Sequence, residues 1–310
     1  MEILKNYDGG SKMLILENVS KEFNDFKAVD NVNISVPAGE MLGFLGGNGA
    51  GKTTTFRMIL GLLSKTAGII TYNGKPIDYS VTDQIGYLPE ERGLNPKLKV
   101  SEQIQYLAQL KGMNKKDIDK ALDYWLDRFA VPENKNKKIE DLSKGNQQKI
   151  QLIGAIIHSP SLLILDEPFS GLDPVNVELL KSAVKEINEN GATIVFSSHR
   201  MEHVEEMCEH VCILNKGKTV VSGEIKQVKH DFGKKEIIIE GQHDFSTLAS
   251  IPGVTKFSQN KNDVRIQIAN GEVAPIIFDA VKQMGFVSRF QVNEPSLNEI
   301  FIEKVGNRHE

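Results

Sequence analysis

Only two cysteines occur in the 310-residue chain, Cys208 and Cys212. At i, i+4 spacing they are poorly placed for a disulfide if helical. Two thiols without a partner cluster make no zinc site, so a reducing compartment is expected. No apolar run reaches the roughly 18 residues that would cross a bilayer, and no charged-then-apolar leader opens the chain. An excess of positive charge is also missing. The net charge is −4 and the pI about 6.0, which leaves no broad field to attract nucleic acid. The lysines at 135–138 read as a solvated loop. These absences lead to the expectation of a soluble, cytoplasmic protein with no nucleic-acid partner. Hydrophobic content of 40% and charged content of 25% are ordinary globular values. The length suits one large domain with a smaller one, or two of similar size.

What is present is sharper. Gly46, Gly47, Asn48, Gly49, Ala50, Gly51, Lys52 and Thr53 spell a complete G-x-x-x-x-G-K-T phosphate loop, with Thr54 directly after it. The short apolar run Met41–Leu45 before it suits a buried parallel strand, and Thr54–Leu63 after it has apolar residues at helical spacing. The glycines therefore sit at a strand-to-helix turn, where free N–H groups and the positive end of a helix dipole converge. Gly46, Gly49 and Gly51 let the backbone curl around a phosphate. Lys52 can reach the β- and γ-phosphates, and the Thr53 hydroxyl can take a place on Mg²⁺. The chain is expected to bind a nucleoside triphosphate.

Residues 1–12 read as a flexible leader, with Met13 as an alternative natural start before a strand at Leu14–Val19. From 13 to 232 strands alternate with helices, as an α/β architecture requires. Two amphipathic helices, Val100–Gly112 and Asn114–Ala130 with Asn114 as cap, lie in a helical insert at about 98–158. Leu162–Leu165 and Thr193–Phe196 read as buried strands. Asp173-Pro174 starts a helix that Gly191 ends. From 233 to 310 the order changes. Strands at Glu236–Glu240, Thr255–Ser258, Val264–Ile268 and Phe286–Val292 combine with helices at Phe245–Ala249 and Val273–Met284. The resulting β-α-β-β-α-β order is that of a small α+β, ferredoxin-like domain, with a closing helix at Ser296–Val305 and a polar turn at 260–263.

Leu162–Leu165 delivers two adjacent carboxylates at its C-terminal end, beside the phosphate loop of the same sheet. Asp166 can hold the Mg²⁺ shell, and Glu167 can polarise a water aimed at the γ-phosphate. Upstream, Ser143, Lys144, Gly145 and Asn146 follow Leu142. Ser143 and Gly145 lie just before a helix expected at Gln147–Ile157, so their N–H groups offer a second anion site.

With these motifs in this order, residues 13–232 resemble an ATP-binding cassette ATPase, the motor subunit of ABC transporters. The resemblance makes Leu142–Gln147 the signature, Ser170–Asp173 the D-loop with Asp173, His199 the switch histidine and Phe23 the aromatic on which adenine stacks. It implies ATP and Mg²⁺, with Glu167, His199 and Lys52 catalytic and Thr53, Glu90 and Asp166 around the metal. It also implies head-to-tail pairing with a second copy or a related ATPase subunit, whose signature closes each site. A separate membrane-spanning permease would hold the pair at the inner face of the cell membrane. The signature reads SKGN instead of the commoner SGGQ, so Lys144 adds a charge where glycine is usual. Glu90 stands where the family usually has glutamine, and Gly47 where proline is frequent. The segment Glu294–Phe301 resembles the accessory domain of bacterial sodium- and drug-export ATPases. The rival readings are a soluble ABC ATPase acting on ribosomes or DNA and a non-hydrolysing nucleotide-gated regulator. A single phosphate loop, the short interval between Thr53 and Leu142, and the acidic pI disfavour the first. Glu167 with His199 disfavours the second.

Lys52→Ala is expected to abolish hydrolysis and weaken ATP binding, because the phosphates lose their main side-chain cation. Phosphate release and nucleotide titration on the purified variant check this, and unchanged activity would remove the phosphate-loop assignment.

Overall fold

Parallel strands of near-continuous apolar sequence place the functional edge of the molecule. The computed structural model describes residues 14–306 apart from 79–80, 92, 234 and 261–262. The leader at 1–12, Met13 and part of the turn at 260–263 lie outside the described residues. The chain divides into two compact units at Gly223/Glu224.

The first unit runs β1 Leu14–Phe23, β2 Phe26–Val36, β3 Met41–Gly46, α1 Lys52–Ile59, β4 Ala67–Tyr72, β5 Lys75–Pro76 and β6 Ile85–Leu88. It continues with α2 Val100–Leu110, α3 Lys115–Arg128, α4 Lys144–Ile156, β7 Leu162–Leu165, α5 Pro174–Glu189, β8 Thr193–Ser197, α6 Met201–Met207, β9 His210–Asn215 and β10 Lys218–Glu224. One sheet has the order β2-β1-β4-β5 with antiparallel pairs, the other β10-β9-β3-β8-β7-β6. In the second, β3 pairs in parallel with β8 and β9, and β7 with β6 and β8. Strands β3, β7 and β8 are buried at every residue, which is why their sequences are apolar without alternation.

One core joins the two sheets through α1. Leu14 and Val29 from the antiparallel sheet, Phe44 and Ile164 from the parallel one, and Phe56 and Ile59 of the helix are all essentially inaccessible. The Phe44 and Phe56 rings lie 5.3 Å apart. Helix α1 stops at Ile59, short of the Leu63 its apolar spacing suggested. Gly61 takes φ +69°, and the N–H groups of Leu62 and Leu63 turn back to the Arg57 carbonyl.

The helical insert packs Ile104 and Ala108 of α2 with Ile118, Leu122 and Leu126 of α3, all buried. Asn114 caps α3 by accepting from the Asp117 N–H at 3.1 Å. Arg128 joins α3 to α5 through Glu186, 2.9 Å away. Helix α4 begins at Lys144, three residues before the expected start, because Ser143 takes the cap position and extended backbone. Cys208 ends α6 and Cys212 sits in β9, so they do not share a helix; both are free.

The second unit runs α7 Ile225–Phe232, β11 Lys235–Glu240, β12 Val254–Gln259, β13 Val264–Ile268, α8 Val273–Met284, β14 Arg289–Asn293 and α9 Leu297–Gly306. Its sheet has the order β12-β13-β11-β14 with every pair antiparallel, the ferredoxin-like arrangement. The first crossover is a 3₁₀ turn, Ser246–Ser250, that buries Phe245 and Leu248 in place of a full α-helix. Ile277 and Val281 of α8 close the core over Ile237, Ile239, Ile266 and Ile268.

Gly86 of β6 lies against α4, where an added Cβ would run into the Ala155 carbonyl oxygen and come within 3 Å of Leu163 and Pro160. Gly86→Ala should destabilise the protein by about 1–3 kcal/mol through overpacking, measured as a lowered denaturant midpoint at unchanged slope.

Candidate active site

Parallel register brings the C-terminal ends of β3, β8, β7 and β6 to one edge of the sheet. Each strand then delivers a group predicted from sequence: the phosphate loop after β3, His199 after β8, Asp166 and Glu167 after β7, and Glu90 after β6. They meet around a cavity of about 450 Å³, lined by Gly47–Thr54, Glu90, Asp166, Glu167 and His199, with Phe26 and Ala28 on its rim.

The loop depends on backbone that few residues adopt. Gly51, the cap of α1, has φ +103°, and a Cβ there would come within 2.6 Å of the Ala28 carbonyl oxygen. Gly46 is the end of β3, crowded by the Leu214 carbonyl, while Gly47 and Gly49 have open space beside them. Lys52 is 8% exposed, and its ammonium donates to the Gly46 carbonyl at 2.7 Å and the Gly47 carbonyl at 3.3 Å. Burial lowers its pKa, and the carboxylates of Glu167, Asp166 and Glu90 partly offset that.

Asp166 is buried, and two hydroxyls satisfy it. Thr53 Oγ1 donates to Oδ2 at 3.0 Å and Ser197 Oγ donates to Oδ1 at 2.6 Å. Ser197 also accepts the Glu167 N–H at 2.9 Å, so one fully buried hydroxyl binds both acidic residues. The sequence alone does not mark Ser197 as a site residue. Its only signal was a polar residue ending an apolar run, and its role needs the knowledge that β7 and β8 are neighbours.

Glu167 has φ +52°, left-handed backbone that costs a non-glycine residue roughly 1–2 kcal/mol. Its carboxylate is nearly enclosed. Oε2 accepts the His199 N–H at 3.3 Å, while Oε1 lies 3.2 Å from His199 Nε2 without hydrogen-bond alignment and has no other partner. Burial raises its pKa above the ordinary carboxylate value, and His199 and Lys52 oppose that rise. His199 is half exposed, free to meet a ligand on its outer side.

Other predicted residues lie elsewhere. Ser143, Lys144, Gly145 and Asn146 open α4, with Ser143 Oγ accepting from the Asn146 N–H at 3.3 Å, and none of them lines this cavity. Ser143 and Lys144 are exposed. Asp173 caps α5, accepting from the Asn176 N–H at 3.0 Å, and that backbone bond holds its carboxyl below the usual range. Gly145 faces Asn176, which puts the starts of α4 and α5 side by side. Phe23 does not line the cavity; Lys21 sits over its ring at 4.9 Å. Phe26, its partner across the hairpin, faces the cavity in its place.

Among the described residues no group of three or more His, Cys, Asp or Glu could hold a metal alone. The convergent oxygens of Thr53 and Asp166 nonetheless suit Mg²⁺, a hard cation that takes one or two protein ligands together with substrate phosphates and water.

Residues 29–170 match the family model described as ABC transporter, and residues 223–305 match that of the ATP-binding protein DrrA1-3-like, C-terminal domain. The uncharacterized ABC transporter ATP-binding protein YhaQ of Bacillus subtilis is 55% identical, over 96% of this chain and 100% of its own length. The Nod factor export ATP-binding protein I of Rhizobium meliloti is 31% identical, over 94% and 87%. A solved ATP-binding subunit of an ABC transporter is 30% identical and superposes with a TM-score of 0.67, over 71% of this chain and 93% of that one. Motifs, fold and full-length similarity agree that this chain belongs to the ATP-binding subunits of ABC transporters, cassettes that hydrolyse ATP to drive transport.

Proposed function

We propose that the cassette hydrolyses ATP·Mg²⁺ at the phosphate-loop edge, with Glu167 as general base, and drives a separately encoded membrane permease in the export direction. The observation that carries the chemistry is the convergence of Lys52, the Thr53–Asp166 pair, Glu167 and His199 on one cavity. Lys52 and the loop N–H groups receive the phosphates, and Thr53, Asp166 and Glu90 hold the metal. When bound, Mg²⁺ neutralises phosphate charge as it develops. Glu167 takes a proton from the attacking water through its unpaired Oε1, and His199, touching the same carboxylate, keeps it in register. Phe26 is better placed than Phe23 to meet the base.

Cassettes of this family dimerise and work with permease subunits. For this chain we assign the closing residues to Ser143, Lys144, Gly145 and Asn146 of a second copy or related subunit. The exposure of Ser143 and Lys144 at a helix start, and the absence of all four from the lining of the chain's own cavity, support that assignment. No helix among the described residues is long and apolar enough to cross a membrane, which fits a cytoplasmic subunit held at the inner face of the cell membrane by its partner. Export rests on the similarity to the Nod factor export protein.

Glu167→Gln should retain ATP binding while hydrolysis falls by about 10²–10⁴, the usual worth of a general base. Light scattering should then show the mass doubling with ATP, and no increase would count against the shared site. A second expectation concerns pH. Burial raises the Glu167 pKa from its ordinary 4.5, and the base acts only when deprotonated. The rate should therefore fall as pH drops through that raised value, earlier than for an exposed glutamate, and the residual rate of Glu167→Gln should lack this limb. A carboxyl whose folded pKa is raised subtracts stability above its unfolded pKa, so Glu167→Gln should melt no lower than the parent at neutral pH.

A further inference from the structure

Helix α4 carries two buried glutamines on one face, Gln148 and Gln151, and each reaches out of the helix to a loop that carries a site residue. Gln148 Nε2 donates to the Pro168 carbonyl at 3.0 Å, one residue beyond Glu167. Gln151 Nε2 donates to the Pro89 carbonyl at 3.1 Å and the Glu91 carbonyl at 3.2 Å. Both amide hydrogens are used, and the two carbonyls flank Glu90. Gln151 is 6% exposed, and its Oε1 has no partner, so the donor side alone justifies burying this amide. Turning the carbonyls on either side of Glu90 toward α4 leaves that residue on the opposite side of the loop, where it lines the phosphate-loop cavity.

We propose that Gln151 is a positioning residue for Glu90: it clamps the loop so that α4 sets where the Glu90 carboxylate stands in the cavity. Since Ser143 caps the start of α4, a displacement of the signature end is carried by the same rigid helix to Glu90 through Gln151 and to the Glu167 loop through Gln148. The inference rests on the reading of Glu90 as part of the Mg²⁺-holding set.

The test uses the full chain with Gln151→Met, which keeps an unbranched side chain of similar volume and removes the donor, alone and combined with Glu90→Gln. Amide hydrogen exchange across residues 86–94 should quicken by about 3- to 10-fold, the effect of losing one or two neutral hydrogen bonds, with β3 unchanged. The Mg²⁺ concentration for half-maximal hydrolysis should rise by a similar factor, while ATP affinity in EDTA stays level. In the double variant the Mg²⁺ shift should be no larger than in Glu90→Gln alone. Unchanged exchange, or shifts that add, would overturn the proposal, since a merely structural role is indifferent to the residue at 90. If Glu90→Gln leaves the Mg²⁺ requirement where it was, the metal reading of Glu90 fails, and the exchange measurement still decides whether Gln151 clamps the loop. Should Gln151→Met not fold, Gln151→Glu replaces the donor with acceptors at the same volume and carries the same comparison.

Discussion

A single buried carboxylate, Asp166, ties the working edge of the cassette together. Burying such a group is costly unless every oxygen finds a donor. Here the donors come from different parts of the chain: Thr53 from the start of α1 and Ser197 from the end of β8. Hydrogen bonds to a charged group contribute about 1.5–3 kcal/mol each. The bonds that make Asp166 tolerable therefore also pin the phosphate loop to β8, the neighbour of β3, and to β7 beyond it. The Asp166 N–H, donating to the Leu88 carbonyl at 2.8 Å, brings β6 and hence the Glu90 loop into the same arrangement.

The parts of this site legible in the sequence are those whose chemistry is local. A glycine-rich turn between an apolar strand and a helix announces itself, as does an apolar strand ending in Asp166 and Glu167. The residues that escaped are those whose meaning depends on a neighbour distant in sequence. Ser197 became significant once β8 lay beside β7. Gln151 looks like any polar residue on an amphipathic helix until α4 is packed against β6. Phe23 and Phe26 are separated by a two-residue turn, and which of the two faces the cavity is a matter of hairpin geometry. The ends of α1 and α4 slipped for a simpler reason. Apolar spacing persists through Leu60–Leu63 although Gly61 has already reversed the chain, and Ser143 caps a helix whose first turn contains a glycine.

The second unit shows the same division. Alternating apolar residues and polar turns were enough to read its strand order, and β11, with Ile237, Ile238 and Ile239 in a row, is the strand enclosed between β13 and β14. Its first crossover was not legible as a 3₁₀ turn, because Phe245 and Leu248 satisfy either helical form when only two large side chains need burying.

The left-handed backbone at Glu167 has a bearing on how such a chain can change over generations. A φ of +52° admits glycine freely and asparagine or aspartate with little penalty, and it works against valine, isoleucine and threonine. Replacing the glutamate by glycine would relieve backbone strain and remove a buried acid in one step, both in favour of a more robust fold. Selection for thermal robustness and selection for turnover therefore pull in opposite directions at this residue. A lineage released from the need to hydrolyse would be expected to lose this glutamate early, while Asp166, on which the packing of the edge depends, would persist.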